Sequence, residues 1–218
     1  MNNEQKLPVT YMTLFQDGVH EIEVKKSRFI CHLKRVVTEE AARDFIAGVR
    51  QEHLKASHNC SVFIVGIKRQ VERSNDDGEP SGTAGVPMLE VLKNRELVNI
   101  CAVVTRYFGG VKLGIGGLIR AYTRSVAQTL LNLGTAKGEL KQEISCFVDY
   151  SLYGKIKYFF EIHPEYSVKD VLFTDKVEVK VFVSEVFVEI FQEEVINLLS
   201  GKVDFCLGEF SYHEVRMN

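Results

Sequence analysis

Residues 104–122 decide the fold, and they read VTRYFGGVKLGIGGLIRAY. The segment 100–107, which leads into this stretch, is almost uninterrupted in apolar character and is typical of a central β-strand. Five glycines then follow within nine residues, and apolar residues recur at helical spacing over 117–133. The stretch therefore predicts a strand, a glycine-rich loop and a long helix in direct succession.

The helix predicted over 117–133 has one apolar face. Arg120 and Arg124 lie one turn apart on the opposite face, where they are open to solvent or to a ligand. On a helical wheel the apolar residues span about 120° of arc; they are Leu118, Tyr122, Val126, Leu130 and Leu133.

The junction of loop and helix is a candidate anion site, because unpaired N–H groups and the helix dipole favour a phosphate there. It matches neither the dinucleotide-binding G-x-G-x-x-G pattern nor the Walker pattern G-x-x-x-x-G-K-[ST]. Tight turns without a ligand are the alternative interpretation. The residues predicted to contact phosphate or nucleic acid are Arg106, Tyr107, Gly109, Gly110, Lys112, Gly114, Gly116, Gly117, Arg120 and Arg124.

A second motif, residues 74–87, reads SNDDGEPSGTAGVP and concentrates acidic and hydroxyl side chains. Three acids within four residues could hold a divalent cation. Asp-Gly followed by proline is also turn chemistry, and this interpretation is favoured. The possible polar cluster comprises Asp76, Asp77, Glu79, Ser81, Thr83 and His58.

The sequence as a whole favours a protein that is not an enzyme. No catalytic residue, metal ligand or cofactor is assigned.

The formal net charge of −2 over 218 residues is unevenly distributed. Residues 1–137 hold 19 Lys+Arg and 14 Asp+Glu, a net of +5, whereas 138–218 hold 8 and 15, a net of −7. The sign changes at 134–138, GTAKG, which is typical of a linker, so two domains are predicted, 1–137 and 138–218. No acidic residue occurs between Glu96 and Glu139, which makes this segment a candidate surface for an anionic partner.

The second half of the chain predicts a strand, a helix, two strands, a helix and a strand. Its clearest strand alternates four valines, at 177, 179, 181 and 183, with polar or aromatic residues. The order β-α-β-β-α-β is that of the split βαβ unit of ferredoxin-like domains.

Composition excludes several classes of protein. No run approaches the roughly 18 apolar residues of a membrane helix, so no membrane partner is expected. The polar segment 1–10 does not resemble a signal peptide. The five cysteines are scattered without a C-x-x-C pair, which favours free thiols in a reducing cytoplasm. A monomer or a weak homo-oligomer is expected.

Residues 75–89, NDDGEPSGTAGVPML, followed by 104–122, resemble the signature of the IMPACT family, above all its bacterial YigZ/YvyE-type members. The segment 21–30, EIEVKKSRFI, also fits the family. The resemblance implies an α+β protein with two domains. The N-terminal domain would share the fold of the second domain of ribosomal protein S5. The C-terminal domain would be ferredoxin-like and similar to the last domain of elongation factor G.

The resemblance implies a role in the regulation of translation and supplies no catalytic residues. Eukaryotic members compete for a kinase-activating protein, partly through an additional domain. We therefore expect a cytoplasmic, translation-associated protein that binds RNA or ribosomal components through the basic glycine-rich loop and helix start. A metal-dependent hydrolase of phosphate esters, or a protein-interaction regulator using the acidic C-terminal domain, are the alternatives.

Overall fold

The computed structural model describes residues 8–217, which form five helices and ten strands in two antiparallel sheets. The strands are β1 (Thr10–Leu14), β2 (Gly18–Val24), β3 (Ser27–Arg35), β4 (His58–Val65), β5 (Val71–Asn75), β6 (Ile100–Tyr107), β7 (Thr135–Val148), β8 (Ser167–Phe173), β9 (Val177–Ser184) and β10 (Asp204–Met217). The helices are α1 (Glu39–Glu52), α2 (Gly85–Asn94), α3 (Ile115–Leu133), α4 (Tyr150–Ile162) and α5 (Val188–Leu198). A short 3-10 turn, Glu185–Phe187, precedes α5.

The described residues divide into two compact units. One unit comprises 11–138 with 215–217, and its sheet has the strand order β2-β3-β6-β4-β5. The predicted central strand is confirmed, because β6 lies in the middle of this sheet and its residues 100–106 are buried. Helix α1 packs on one face of the sheet, over β4 and β6, whereas α2 and α3 pack on the other face.

Local sequence explains why these helices form where they do. The Thr38 hydroxyl accepts a hydrogen bond from the N–H of Ala41 at 3.1 Å and so caps the start of α1. In α3, Arg120 and Arg124 are exposed, as predicted. The predicted apolar face of α3 is buried throughout and comprises Leu118, Tyr122, Val126, Leu130 and Leu133.

The other unit comprises 8–10 and 139–214, and its β-α-β-β-α-β order confirms the ferredoxin-like prediction. Strand β9 lies between β7 and β8, which α4 connects, so the βαβ unit is split as this fold requires. The alternating valines of β9 point to one face, where Ile156 of α4 and Phe191 of α5 cover them. An apolar face against two amphipathic helices provides the core of this unit.

The linker predicted at 134–138 is wrong. Gly134 ends α3 with a φ of +78°, and β7 begins at the next residue, so the segment is strand. Ala136 is buried, and a Cβ on Gly138 would lie 2.4 Å from ring atoms of Tyr11. Glycine at 138 is therefore required by close packing and does not provide flexibility. The division between the units falls within β7, between 138 and 139, and the domains 1–137 and 138–218 stay a prediction.

Two further points concern the chain as a whole. No helix within residues 8–217 is long and apolar enough to cross a membrane. The prediction that 1–10 is not a signal peptide depends mainly on residues 1–7, which lie outside the described residues.

The cysteines differ sharply in accessibility: Cys206 is exposed and the other four are buried. Burial raises the pKa of Cys31, Cys60 and Cys146 to about 12 and also raises that of Cys101. Because the thiolate is the reactive species, buried thiols with a raised pKa react slowly.

Native protein treated with iodoacetamide at pH 8 should therefore gain a single adduct, at Cys206, by intact-protein mass spectrometry. All five cysteines should react after denaturation. The Cys206→Ser variant provides the control and should gain no adduct while folded. Rapid native labelling of Cys60 would contradict the buried arrangement.

Candidate functional site

The acidic motif folds into a loop that precedes α2, and Asp76 organises its backbone. The Asp76 carboxylate accepts hydrogen bonds from the N–H groups of Gly82, Ala84 and Gly85, at 2.9, 3.0 and 2.7 Å. Burial opposes ionisation of Asp76, but these three bonds outweigh it, and the pKa of the carboxyl is lowered. Asp76 thus caps the start of α2 from a position nine residues before its first residue.

Glu79 lies at the centre of the loop's contact with the core. Its Oε1 atom accepts from Nη1 of Arg106 at 2.6 Å and from the hydroxyl of Tyr122 at 2.8 Å. The side chains of Glu79 and Arg106 are only 3% and 7% exposed. His58 approaches from β4, with its Nε2 atom 3.8 Å from Oε2 of Glu79. One carboxylate therefore joins the loop to β6 and α3 by direct hydrogen bonds.

Tyr122 and Cys60, which lie close to Glu79, keep their protons because their pKa values are raised. Burial is the main reason that the pKa of the Tyr122 phenol is raised, and the neighbouring Cys60 and Glu79 raise it further. The Cys60 thiol donates to the Asp76 carbonyl at 3.0 Å, and it lies 3.3 Å from the Tyr122 hydroxyl oxygen. A phenol and a thiol that stay neutral beside a carboxylate provide hydrogen bonds without adding buried charge.

The three acids of the motif do not converge on one point. The Asp77 carboxylate accepts from Nη2 of Arg50 at 2.7 Å and from the N–H of Asn59 at 2.6 Å, whereas Asp76 and Glu79 have the separate partners given above. Within residues 8–217, no group of three or more His, Cys, Asp or Glu side chains is arranged to hold a metal ion. The arrangement thus gives no support to the metal-dependent hydrolase alternative.

The hydroxyl residues of the predicted polar cluster also separate. Thr83 is buried and its hydroxyl donates to the Pro80 carbonyl at 2.7 Å, within the loop itself. Ser81 is exposed. The ring Nδ1 of His58 lies 2.9 Å from the Asp77 carbonyl, which fixes the ring against the loop. These contacts are those of a turn held against the sheet, the interpretation that the sequence favoured.

The glycine-rich loop between β6 and α3 packs against the turn between β2 and β3. That turn has two residues, Lys25 and Lys26, both in the left-handed region with φ of +48° and +65°. A Cβ on Gly109 would lie 2.0 Å from the backbone of Lys26, so only glycine fits there. The close approach places two lysines beside the loop, and sequence analysis missed both as site residues.

The start of α3 is open to solvent. Gly114 precedes the helix with a φ of +71°, and no side chain caps the first turn. Gly110, Gly114 and Gly116 are exposed and Gly117 is half-buried. Helical N–H groups that no side chain caps provide donors for an anion.

A cleft of about 310 Å³ lies along this helix start. Its cations come from two elements: Lys25 from the β2–β3 turn, and Arg120 and Arg124 from α3. Lys112 is exposed on the neighbouring loop. The residues that line the cleft include three cations and no acid, and they are Val24, Lys25, Leu113, Gly117, Arg120, Ala121 and Arg124.

Two of the predicted contact residues lie away from this cleft. Arg106 is buried and bonded to Glu79, with its guanidinium 5.5 Å from the Phe29 ring centre, so it is not a surface cation. Tyr107, the next residue on β6, points to the opposite face, where its hydroxyl lies 3.0 Å from Nδ1 of His53. Neither side chain presents a free donor to a ligand at the glycine loop.

Known proteins resemble this chain over most of its length. Residues 25–130 match the model of the Impact N-terminal domain, and 146–202 match a domain of unknown function, DUF1949. The chain is 46% identical over 209 residues to the IMPACT family member YvyE of Bacillus subtilis, covering 96% of each protein. The chain belongs to the IMPACT family. This is a translation-related regulatory family.

Other relatives agree with that assignment. YigZ of Escherichia coli, also an IMPACT family member, is 45% identical over 117 residues, which cover 53% of this chain and 57% of YigZ. A solved structure described as a hypothetical protein has a TM-score of 0.59 at 31% identity, covering 93% of this chain and 98% of its own. The α+β fold with two antiparallel sheets is thus that of a solved relative.

The buried pair Glu79–Arg106 should be a main determinant of the stability of this IMPACT protein. Glu79→Ala leaves a buried guanidinium without its carboxylate, which typically costs about 3–5 kcal/mol. The double variant Glu79→Ala/Arg106→Met should lose less than the sum of the single losses, because both single variants remove the same interaction. Urea denaturation followed by circular dichroism measures these values.

The control is the exposed pair Glu39–Arg43 on α1, which joins the same residue types one helical turn apart. Glu39→Ala should lose only about 0.3–0.5 kcal/mol. Equal losses for Glu39→Ala and Glu79→Ala would show that burial does not set the importance of the Glu79 pair.

Proposed function

We propose that this chain is a cytoplasmic, translation-associated regulatory protein that binds RNA, free or within a ribosomal component, through the glycine-loop surface. This surface comprises Lys25, Lys26, residues 110–117 of the loop and the start of α3, Arg120 and Arg124. The observation that carries the proposal is the cleft at the start of α3, whose lining includes three cations and no acid. Family membership supports the link to translation.

The chemistry of the surface suits a phosphate backbone. Arg120 and Arg124 present planar guanidinium groups that bond phosphate oxygens in pairs. The uncapped N–H groups after Gly114 add backbone donors and the positive end of the helix dipole. Exposed glycines in the loop leave room for a strand of nucleic acid to approach the main chain.

Phe108 adds a contact of a different kind. It is 50% exposed at the start of the loop. An exposed ring at this position offers a face on which an unpaired base stacks. The combination favours single-stranded RNA over a duplex, whose bases are already stacked.

The double variants Lys25→Ala/Lys26→Ala and Arg120→Ala/Arg124→Ala should each weaken binding to a fluorescent single-stranded 16-mer RNA by at least tenfold. Each lost phosphate contact should also lower the slope of log affinity against log salt by about 0.7. Fluorescence anisotropy at several salt concentrations measures both quantities.

Lys155→Ala/Lys157→Ala is the matched control, since both lysines are exposed on α4 in the other unit. This variant should bind the RNA as the unaltered protein does. Binding that is independent of salt, or that is equally weakened in the α4 variant, would contradict the proposal. Thermal denaturation of each variant checks that the fold is retained.

A further inference from the structure

A second cationic cleft, of about 340 Å³, lies on the opposite side of the same sheet, between α1 and β5. Helix α1 packs over β4 and β6, whereas β5 is the edge strand of the sheet and lies beyond them. The space between the helix and the edge strand is the cleft. Its lining comprises Arg43, Ile46, Ala47, Arg50, Ser61, Phe63, Arg73, Ser74 and Asn75.

Three arginines surround this cleft and none of its lining residues is acidic. Arg43 and Arg50 are seven residues apart on α1, so they lie about 10.5 Å apart along the same side of the helix. Arg73 comes from the facing strand, where it is paired in register with Phe63 of β4. The arrangement places positive charge on both walls of one groove.

The arginines keep donors available. Arg43 pairs with Glu39, and Arg50 pairs with Asp77, but each guanidinium has five N–H donors. Arg73 donates to the carbonyl of Glu72 at 2.9 Å, and no carboxylate among residues 8–217 forms an ion pair with it. The cleft therefore has unneutralised positive charge, most clearly at the edge strand.

We propose that this groove binds an acidic, extended peptide segment of a partner protein, which lies along the groove between α1 and β5. The carboxylates of the peptide bond Arg43 and Arg50 on one wall and Arg73 on the other. Carboxylates match the planar donor geometry of arginine, and this pairing provides both affinity and specificity.

The groove fits a peptide better than other anions. The backbone positions of Arg43 and Arg50 lie about 10.5 Å apart along α1, a spacing that three residues of an extended chain match, since they cover about 10 Å. The aromatic residue of the lining, Phe63, is only 4% exposed, so the groove offers no ring on which a base stacks. Ile46 and Ala47 supply an apolar floor for alternate side chains.

Selection of a displayed random heptapeptide library on the whole protein tests the proposal. Enriched peptides should carry two or more Asp or Glu residues, and the best one, synthesised and labelled, is then titrated by fluorescence anisotropy. Arg73→Glu and Arg43→Glu should each weaken its binding at least tenfold, with Arg73→Lys in between.

Arg124→Glu is the matched control, because it reverses an exposed arginine of the glycine-loop surface and should leave peptide binding unchanged. Thermal denaturation confirms that each variant is folded. The proposal is overturned if no peptide is enriched, if enriched peptides lack acids, or if Arg124→Glu weakens binding as much as Arg73→Glu. Displacement of the peptide by millimolar inorganic phosphate at constant ionic strength would show a simple anion site and equally overturn it.

Discussion

The buried carboxylate of Glu79 is the interaction on which the N-terminal unit depends. It accepts from Arg106 on β6 and from Tyr122 on α3, and so fixes a loop, a central strand and a long helix relative to one another. A buried ion pair is expensive to form, because both charges lose their water. The Tyr122 hydroxyl and the two aromatic rings beside the Arg106 guanidinium, those of Phe29 and Phe108, offset part of that cost.

The glycine-loop surface depends on this buried centre. Arg106 is followed by Tyr107 and Phe108, and Gly109 then packs on the backbone of Lys26. An ion pair fixes the end of β6, and backbone contact fixes the loop that follows it. The start of α3 therefore has little conformational freedom. The backbone that carries Lys25, Arg120 and Arg124 is consequently well fixed, which would reduce the entropy lost in the proposed binding of RNA.

Periodicity in the sequence predicted most of the architecture, because an amphipathic pattern records which face is buried. It predicted the central strand β6, the buried face of α3 and the β-α-β-β-α-β order of the second unit. Local composition is a poor guide where a contact with a residue elsewhere in the chain determines the structure. Gly138 is typical of a linker, but the Tyr11 ring packs against it. Helix α2 begins in a glycine- and proline-rich stretch, because Asp76, which precedes the helix, caps its start. Arg106 looks like a surface cation, and its partner lies 27 residues away.

Contacts between residues distant in the sequence also change what the net charge of residues 1–137 implies. The +5 of residues 1–137 counts every cation equally, yet Arg106 is neutralised inside the core and Arg50 shares its charge with Asp77. Because the acids of the 76–79 segment are used for internal pairing and capping, they do not offset the exposed cations elsewhere on the unit. Three cations line each of two clefts on opposite faces of one sheet, at the start of α3 and beside β5. The RNA and the acidic peptide proposed as partners would therefore contact different side chains.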